Sequence, residues 1–187
     1  MPPRHVLSVE GGGFWSAASH ASRLLAQASD AGGGISQAPD WMDDPEAPPS
    51  ARLLPRIKLI VLIPRRQDIS VDYFHRYWLV NHAALALSVA DDVNLLRYTQ
   101  SHQVPSEVAA GFTESREWSS NIFEGVTEGW WESEQAMIDA FSTQAGERAN
   151  ELLVEDELKF CDNRTMAIIT REYLIYDREE SEGALQA

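Results

Sequence analysis

The chain has 187 residues, of which 44% are hydrophobic and 9% aromatic, enough for one ordinary domain with a packed core and a further segment. Its 29 acidic against 15 basic side chains give a formal charge of −14, which repels phosphate backbones and anionic lipids and argues against nucleic acid as a partner. No apolar run approaches the roughly 20 residues of a membrane helix, no signal-type block follows Met1 to His5, and Cys161 is the only cysteine, so the expectation is a cytoplasmic protein with no membrane partner and no internal disulfide.

Residues 1–52 read as an amino-terminal arm. It offers a short strand (His5 to Val9), three glycines (Gly11 to Gly13), a short helix (Ser16 to Ala28) and a Gly-, Pro- and Asp-rich run (Ala31 to Pro49). The glycines lack a Gly-x-Ser-x-Gly or P-loop lysine and read as no anion site. Phe14, Trp15 and Trp41 would each bury on the order of 150 to 250 Å² if docked, so the arm is expected to pack back on the domain or on a partner.

A compact domain is expected over residues 53–177. Ile57 to Ile63, rich in Ile, Leu and Val and stopped at Pro64, predicts a buried strand. Ser70 followed by Val71-Asp72 predicts a capped helix whose face carries Val71, Phe74, Trp78, His82 and Leu85 at helical spacing. Leu95 to Val104 alternates, with Leu96, Tyr98, Gln100 and His102 on one face, and predicts a second strand. Pro105 to Asn121 reads as a loop or hairpin excursion. Phe123 to Trp131 predicts a third strand, Ser133 caps a helix carrying Met137, Ile138 and Phe141, and Gly146 to Phe160 predicts a further helical stretch. Thr165 to Tyr176 closes the series as a strand apolar on both faces, before an acidic tail over 178–187.

The order strand, helix, strand, strand, helix, strand is the split βαβ pattern of a ferredoxin-like α+β domain, an antiparallel four-stranded sheet with helices on one face. Because the last strand is apolar on both sides, a second subunit is expected on the face that the helices leave open.

Tyr77-Trp78 with Asn81-His82-Ala83, Leu96 to His102, Glu124 to Ser133 and Asp156 to Phe160, in this order and spacing, resemble the EthD family over roughly Arg56 to Asp177. The resemblance implies a dimeric α+β barrel, two ferredoxin-like subunits packed sheet to sheet, with a cleft in each between sheet and helices. The wider superfamily spans polyketide cyclases, cofactor-free monooxygenases, dehydratases, decarboxylases and haem-binding enzymes, so fold is better specified than reaction. The long first segment, Gly129 and the Pro105 to Asn121 excursion depart from the family pattern.

His82 can titrate near neutrality and ends an apolar stripe, so it is a candidate general acid or base, in a cleft expected to be lined by Phe74 and Trp78. The alternative is a core histidine bonded to a backbone group. Tyr98, Gln100 and His102 form a row about 6.6 Å apart that could polarise a substrate oxygen, or could face a dimer interface. Glu128 beside Trp130 is a candidate for substrate binding, with a solvated strand edge as the alternative. No metal-ligand spacing is present. The sequence reading is a cofactor-free, homodimeric enzyme of lyase, dehydratase or cyclase type acting on a small apolar oxygenated or polyketide-like molecule, with His82, Tyr98 and His102 catalytic and no metal. A non-catalytic binding or accessory protein for oxidative catabolism is the second reading, and haem binding the third.

Overall fold

In the computed structural model the residues described are 45–48, 51–119 and 121–178. The strand, helix and linker expected before residue 45, the burial of Phe14, Trp15 and Trp41, and nearly all of the acidic tail lie outside them. From Arg52 onward the elements are β1 (Arg52–Ile63), α1 (Val71–Tyr77), a π-helical turn (Trp78–His82), α2 (Ala83–Ser88), β2 (Arg97–His102), α3 (Glu107–Ser115), β3 (Gly125–Trp131), α4 (Glu134–Phe141), α5 (Gln144–Glu157) and β4 (Met166–Leu174).

The four strands form one antiparallel sheet in the order β2-β3-β1-β4, which with helices on one face is the ferredoxin-like α+β fold. β1 is central, between β3 and β4, so its run of Ile, Leu and Val has neighbours on both sides. The β1–β4 register shifts between Leu53 and Ile57, the stretch that contains Pro55, whose missing N–H cannot join the ladder. Period-two alternation sends Leu59, Val61 and Ile63 of β1, Tyr98 of β2 and Thr127, Gly129 and Trp131 of β3 toward the helices. Lys58, Ile60 and Leu62, with their cross-strand neighbours Glu128, Trp130, Met166 and Ile168, take the other face.

The helices start where short side chains can satisfy free N–H groups. Ser70 accepts from Tyr73, Ser106 from Ala109, Ser133 from Ala136 and Thr143 from Gly146. Beneath α1, the fully buried Phe74, Trp78 and Phe160 join Ile63 in one core cluster, and Val89, Val93 and Ala149 form a second under α5. Trp131 on β3 is tied to the turn after α2 by its indole N–H, which donates to the Val93 carbonyl at 2.7 Å.

Two sequence expectations change. The Pro105 to Asn121 excursion contains α3, a Ser106-capped helix with no buried residue, so packing left no apolar stripe there to read. The continuous helix expected through His82 is interrupted by the π-turn, in which Ala83 N–H reaches back to the Trp78 carbonyl. No helix among the described residues is long and apolar enough to cross a membrane.

Candidate functional site

Between the helix-facing side of the sheet and the helices lies a cleft of about 910 Å³. Leu59 and Val61 of β1, Leu95, Met137, Phe141 and Leu153 give it apolar walls, and His82, Tyr98, Thr127, Asn150 and Glu157 are among its polar groups. Arg66, Gln67, Asp68, Asp162 and Asn163 line a polar end, where Gln67, Asp68 and Asn163 are exposed. The Arg66 guanidinium there is held by Asp68 and by the Leu158 carbonyl.

His82 sits in the π-turn, 5% exposed, with its ring edge-on to Phe160. Its Nδ1 is 2.9 Å from Asp156 Oδ2 at the end of α5. Asp156 is itself buried, and Oδ1 accepts from the Tyr77 hydroxyl at 2.6 Å and from Lys159 Nζ at 3.0 Å. Burial opposes its ionisation, yet the hydrogen bonds from Tyr77, Lys159 and His82 outweigh burial and hold the carboxyl below the usual range. For His82 the balance tips the other way: burial lowers the imidazole below its ordinary value despite the carboxylate partner. The neutral ring donates Nδ1–H to Asp156, because a carboxylate only accepts, and this leaves a lone pair on Nε2. That nitrogen has no protein partner among the described residues and is not sealed from solvent.

Tyr98 projects from β2 into the same cleft, and its oxygen accepts from Gln100 Nε2 at 2.9 Å. Burial raises the phenol above its usual value although Gln100, Thr127 and Trp78 beside the oxygen pull it down, so it stays protonated at neutral pH.

The other expected site residues are placed elsewhere. Phe74 and Trp78 are core, wholly buried in the cluster behind the cleft and not on its wall. Gln100 and His102 lie on the Tyr98 face of β2 but outside the cleft, the His102 ring tilted against Trp78 at 4.3 Å between ring centroids. Glu128 and Trp130 are on the opposite face of the sheet. Lys58 Nζ bridges Glu128 at 2.8 Å and Glu172 at 2.7 Å there, the Trp130 indole donates to Glu172 at 2.8 Å, and Arg97 lies over the Trp130 ring. Parity alone separates them from the cleft. Gly129 does line the cleft, and a Cβ there would stand 2.9 Å from the Trp131 ring and 3.2 Å from Leu95, so the small residue makes room for those two side chains.

Two acids that sequence reasoning passed over belong to the site. In the sequence Asp156 and Glu157 stand out only as members of the Asp156 to Phe160 motif on the last predicted helix. Glu157 is open to the cleft and makes no side-chain hydrogen bond to a described residue. Its side chain is exposed within the cleft, and desolvation by the cleft walls, with the charge of Asp156 next to it, pushes its carboxyl up to about 7. Cys161 nearby is pushed further from ionisation, chiefly by burial, and is a neutral thiol. Among the described residues no three His, Cys, Asp or Glu side chains are grouped to hold a metal ion.

The EthD domain family matches residues 66–164. Among solved structures, an ethyl tert-butyl ether D (EthD) family protein from Bacillus halodurans is 19% identical with a TM-score of 0.44, the likeness covering 63% of this chain and 98% of that one. An EthD-like protein from Ralstonia eutropha is 14% identical, TM-score 0.40, over 67% and 96% of the two chains. A hydroxynitrile lyase from Passiflora edulis is 9% identical, TM-score 0.43, over 66% of this chain and 100% of that one. These likenesses concern the fold. No curated protein matches the chain.

Proposed function

The chain belongs to the EthD family, and from that premise we propose that it is a cofactor-independent enzyme that moves a proton on a small, largely apolar oxygenated molecule, in a reaction of lyase, dehydratase or cyclase type. The observation that carries the reading is His82, held through Nδ1 by Asp156 at 2.9 Å with its Nε2 left unbonded beside an apolar cleft. Such a pair supplies a base whose conjugate acid is stabilised by the carboxylate behind it. In the proposed step Nε2 takes a proton from carbon next to a carbonyl. The Tyr98 hydroxyl donates to the carbonyl oxygen as negative charge develops there. Glu157, with its carboxyl near 7, returns a proton to the product or to a departing hydroxyl group.

Deuterium incorporation tests this without knowledge of the natural substrate. Ketones that bind the protein are incubated with it in D2O, and α-deuteration is read by NMR. Exchange above the buffer rate is expected, reduced about 10²- to 10⁴-fold in His82→Ala. Equal exchange by the variant and the parent refutes the role of His82, and ketones that bind without exchanging would favour a binding or accessory protein.

We infer also that two copies pair through the open face of the sheet. Met166 and Ile168, 51% and 54% exposed, stand there beside Ile60 and Leu62 and gain most from a partner's cover.

A further inference from the structure

We propose that the cleft takes its ligand through a carbonyl-type acceptor oxygen, because a one-way hydrogen-bond chain beginning at His75 fixes Tyr98 as a donor toward the cleft. The inference rests on the reading that this cleft is the functional site, and it adds what the ligand must present there.

The chain's direction follows from a group that has no choice. A peptide carbonyl only accepts, so the Gln100 atom 3.1 Å from the Trp78 carbonyl is the amide nitrogen. The amide oxygen then faces His102 Nε2 at 3.1 Å, and since that oxygen also only accepts, Nε2 of His102 carries a proton. A neutral His102 is therefore bare at Nδ1. Its neighbour at 2.9 Å is Nδ1 of His75, which must be the donor of that contact. At the other end the second hydrogen of the Gln100 amide goes to the Tyr98 oxygen at 2.9 Å. Each member passes a hydrogen forward: His75 to His102, His102 to Gln100, Gln100 to Tyr98. The Tyr98 proton has no acceptor among His75, His102 and Gln100; the side chain lines the cleft beside the Thr127 hydroxyl, and a ligand oxygen takes the proton in competition with that group.

A proton added at His75 Nε2 would leave every bond in this chain intact, whereas one added at His102 Nδ1 would set two donors face to face. His75 and His102 lie outside the cleft and take their donor roles from the Gln100 amide, which the Trp78 carbonyl orients. A ligand with an acceptor oxygen at this point completes the series, and one that presents only hydrocarbon leaves the hydroxyl to Thr127.

Two measurements test this. Long-range ¹H–¹⁵N NMR of the whole protein, assigned with single His75 and His102 variants, should find His102 protonated at Nε2 and bare at Nδ1. His102 in the opposite tautomer overturns the proposal. Binding of 2-acetylnaphthalene against 2-ethylnaphthalene, followed by fluorescence, should favour the ketone about fivefold, the worth of one neutral hydrogen bond. The preference should vanish in Tyr98→Phe, which removes the donor. It should also vanish in Gln100→Glu, where a carboxylate accepts from Tyr98 and turns the hydroxyl away. Should Gln100→Glu not fold, Tyr98→Phe and the tautomers still decide. No preference in the parent protein, or an undiminished one in Tyr98→Phe, overturns the proposal. A ketone bound with this preference yet exchanging no deuterium would sink the catalytic reading alone.

Discussion

Replacing Glu157 by Gln should stabilise the protein above neutrality and leave it unchanged in acid. The carboxyl ionises near 4.5 when unfolded and at about 7 in the folded chain. Between those values the folded state keeps a proton that the unfolded state has lost, so this group's contribution falls as pH rises through the window and stays low above it. Taken at full value the displacement would be worth ~3 kcal/mol. Glu157 is open to the cleft, however, and water there screens part of the cost, so about 1 to 2 kcal/mol is the expected gain, equivalent to roughly 2 to 8 °C in midpoint for a chain of this size. His82 acts with the opposite sign: its depressed value means that stability is complete above the unfolded value of 6.5 and is lost as pH falls below it. For that reason the informative quantity is the difference between Glu157→Gln and parent, from urea unfolding at pH 4 and pH 8. A difference near zero at pH 4 and stabilising at pH 8 is expected. A variant no more stable than the parent at pH 8, or equally stabilised at both values, would refute the reasoning that Glu157 stands in a poorly hydrated cleft.

Asp156→Ala should cost about 3 kcal/mol by denaturant titration, since it strands three donors, one on the buried His82 and one on the partly buried Tyr77; a cost below ~1 kcal/mol would mean that water replaces the carboxylate readily. Gly125→Ala should cost about 1 to 3 kcal/mol, because its Cβ would run into the Trp78 ring and stand 2.8 Å from the Ser101 carbonyl; thermal unfolding equal to the parent's would show that Trp78 can yield. Ile168→Lys should leave a folded monomer in sedimentation at micromolar concentration, because the charge would have to shed water on pairing; an undisturbed dimer would move the interface away from the open sheet face.

Much of this fold was legible because its signals are local. Ser70 and Ser133 announce helices by hydrogen bonds formed within three residues of each cap, and the apolar run from Ile57 to Ile63 has the composition of a central strand. The site was less legible, for three separate reasons. Phe74, Trp78 and His82 share a face only if the helix keeps one period, and the π-turn changes it between the two aromatics and the histidine, leaving the former in the core and the latter on the cleft. Glu128 and Trp130 are one residue out of phase with Thr127 and Gly129, and alternation does not say which phase meets the helices. Asp156 is chemically a helix-surface acid, and what makes it a buried partner of His82 is a contact across 74 positions of sequence that no local pattern encodes.

The π-turn has a consequence for anyone wishing to make this protein more robust. Leu79 and Val80 are mostly exposed, so the turn looks like a place where one residue could be removed to restore a regular helix at little cost in packing. Such an edit would rotate every later side chain by about 100° relative to those before it. His82 would leave Asp156, and Ala86, buried on the cleft wall, would be carried away from it. Helical regularity and a correctly aimed imidazole are thus alternative uses of one residue, and a thermostable variant obtained by straightening this helix should be screened for function before it is prized for its melting point.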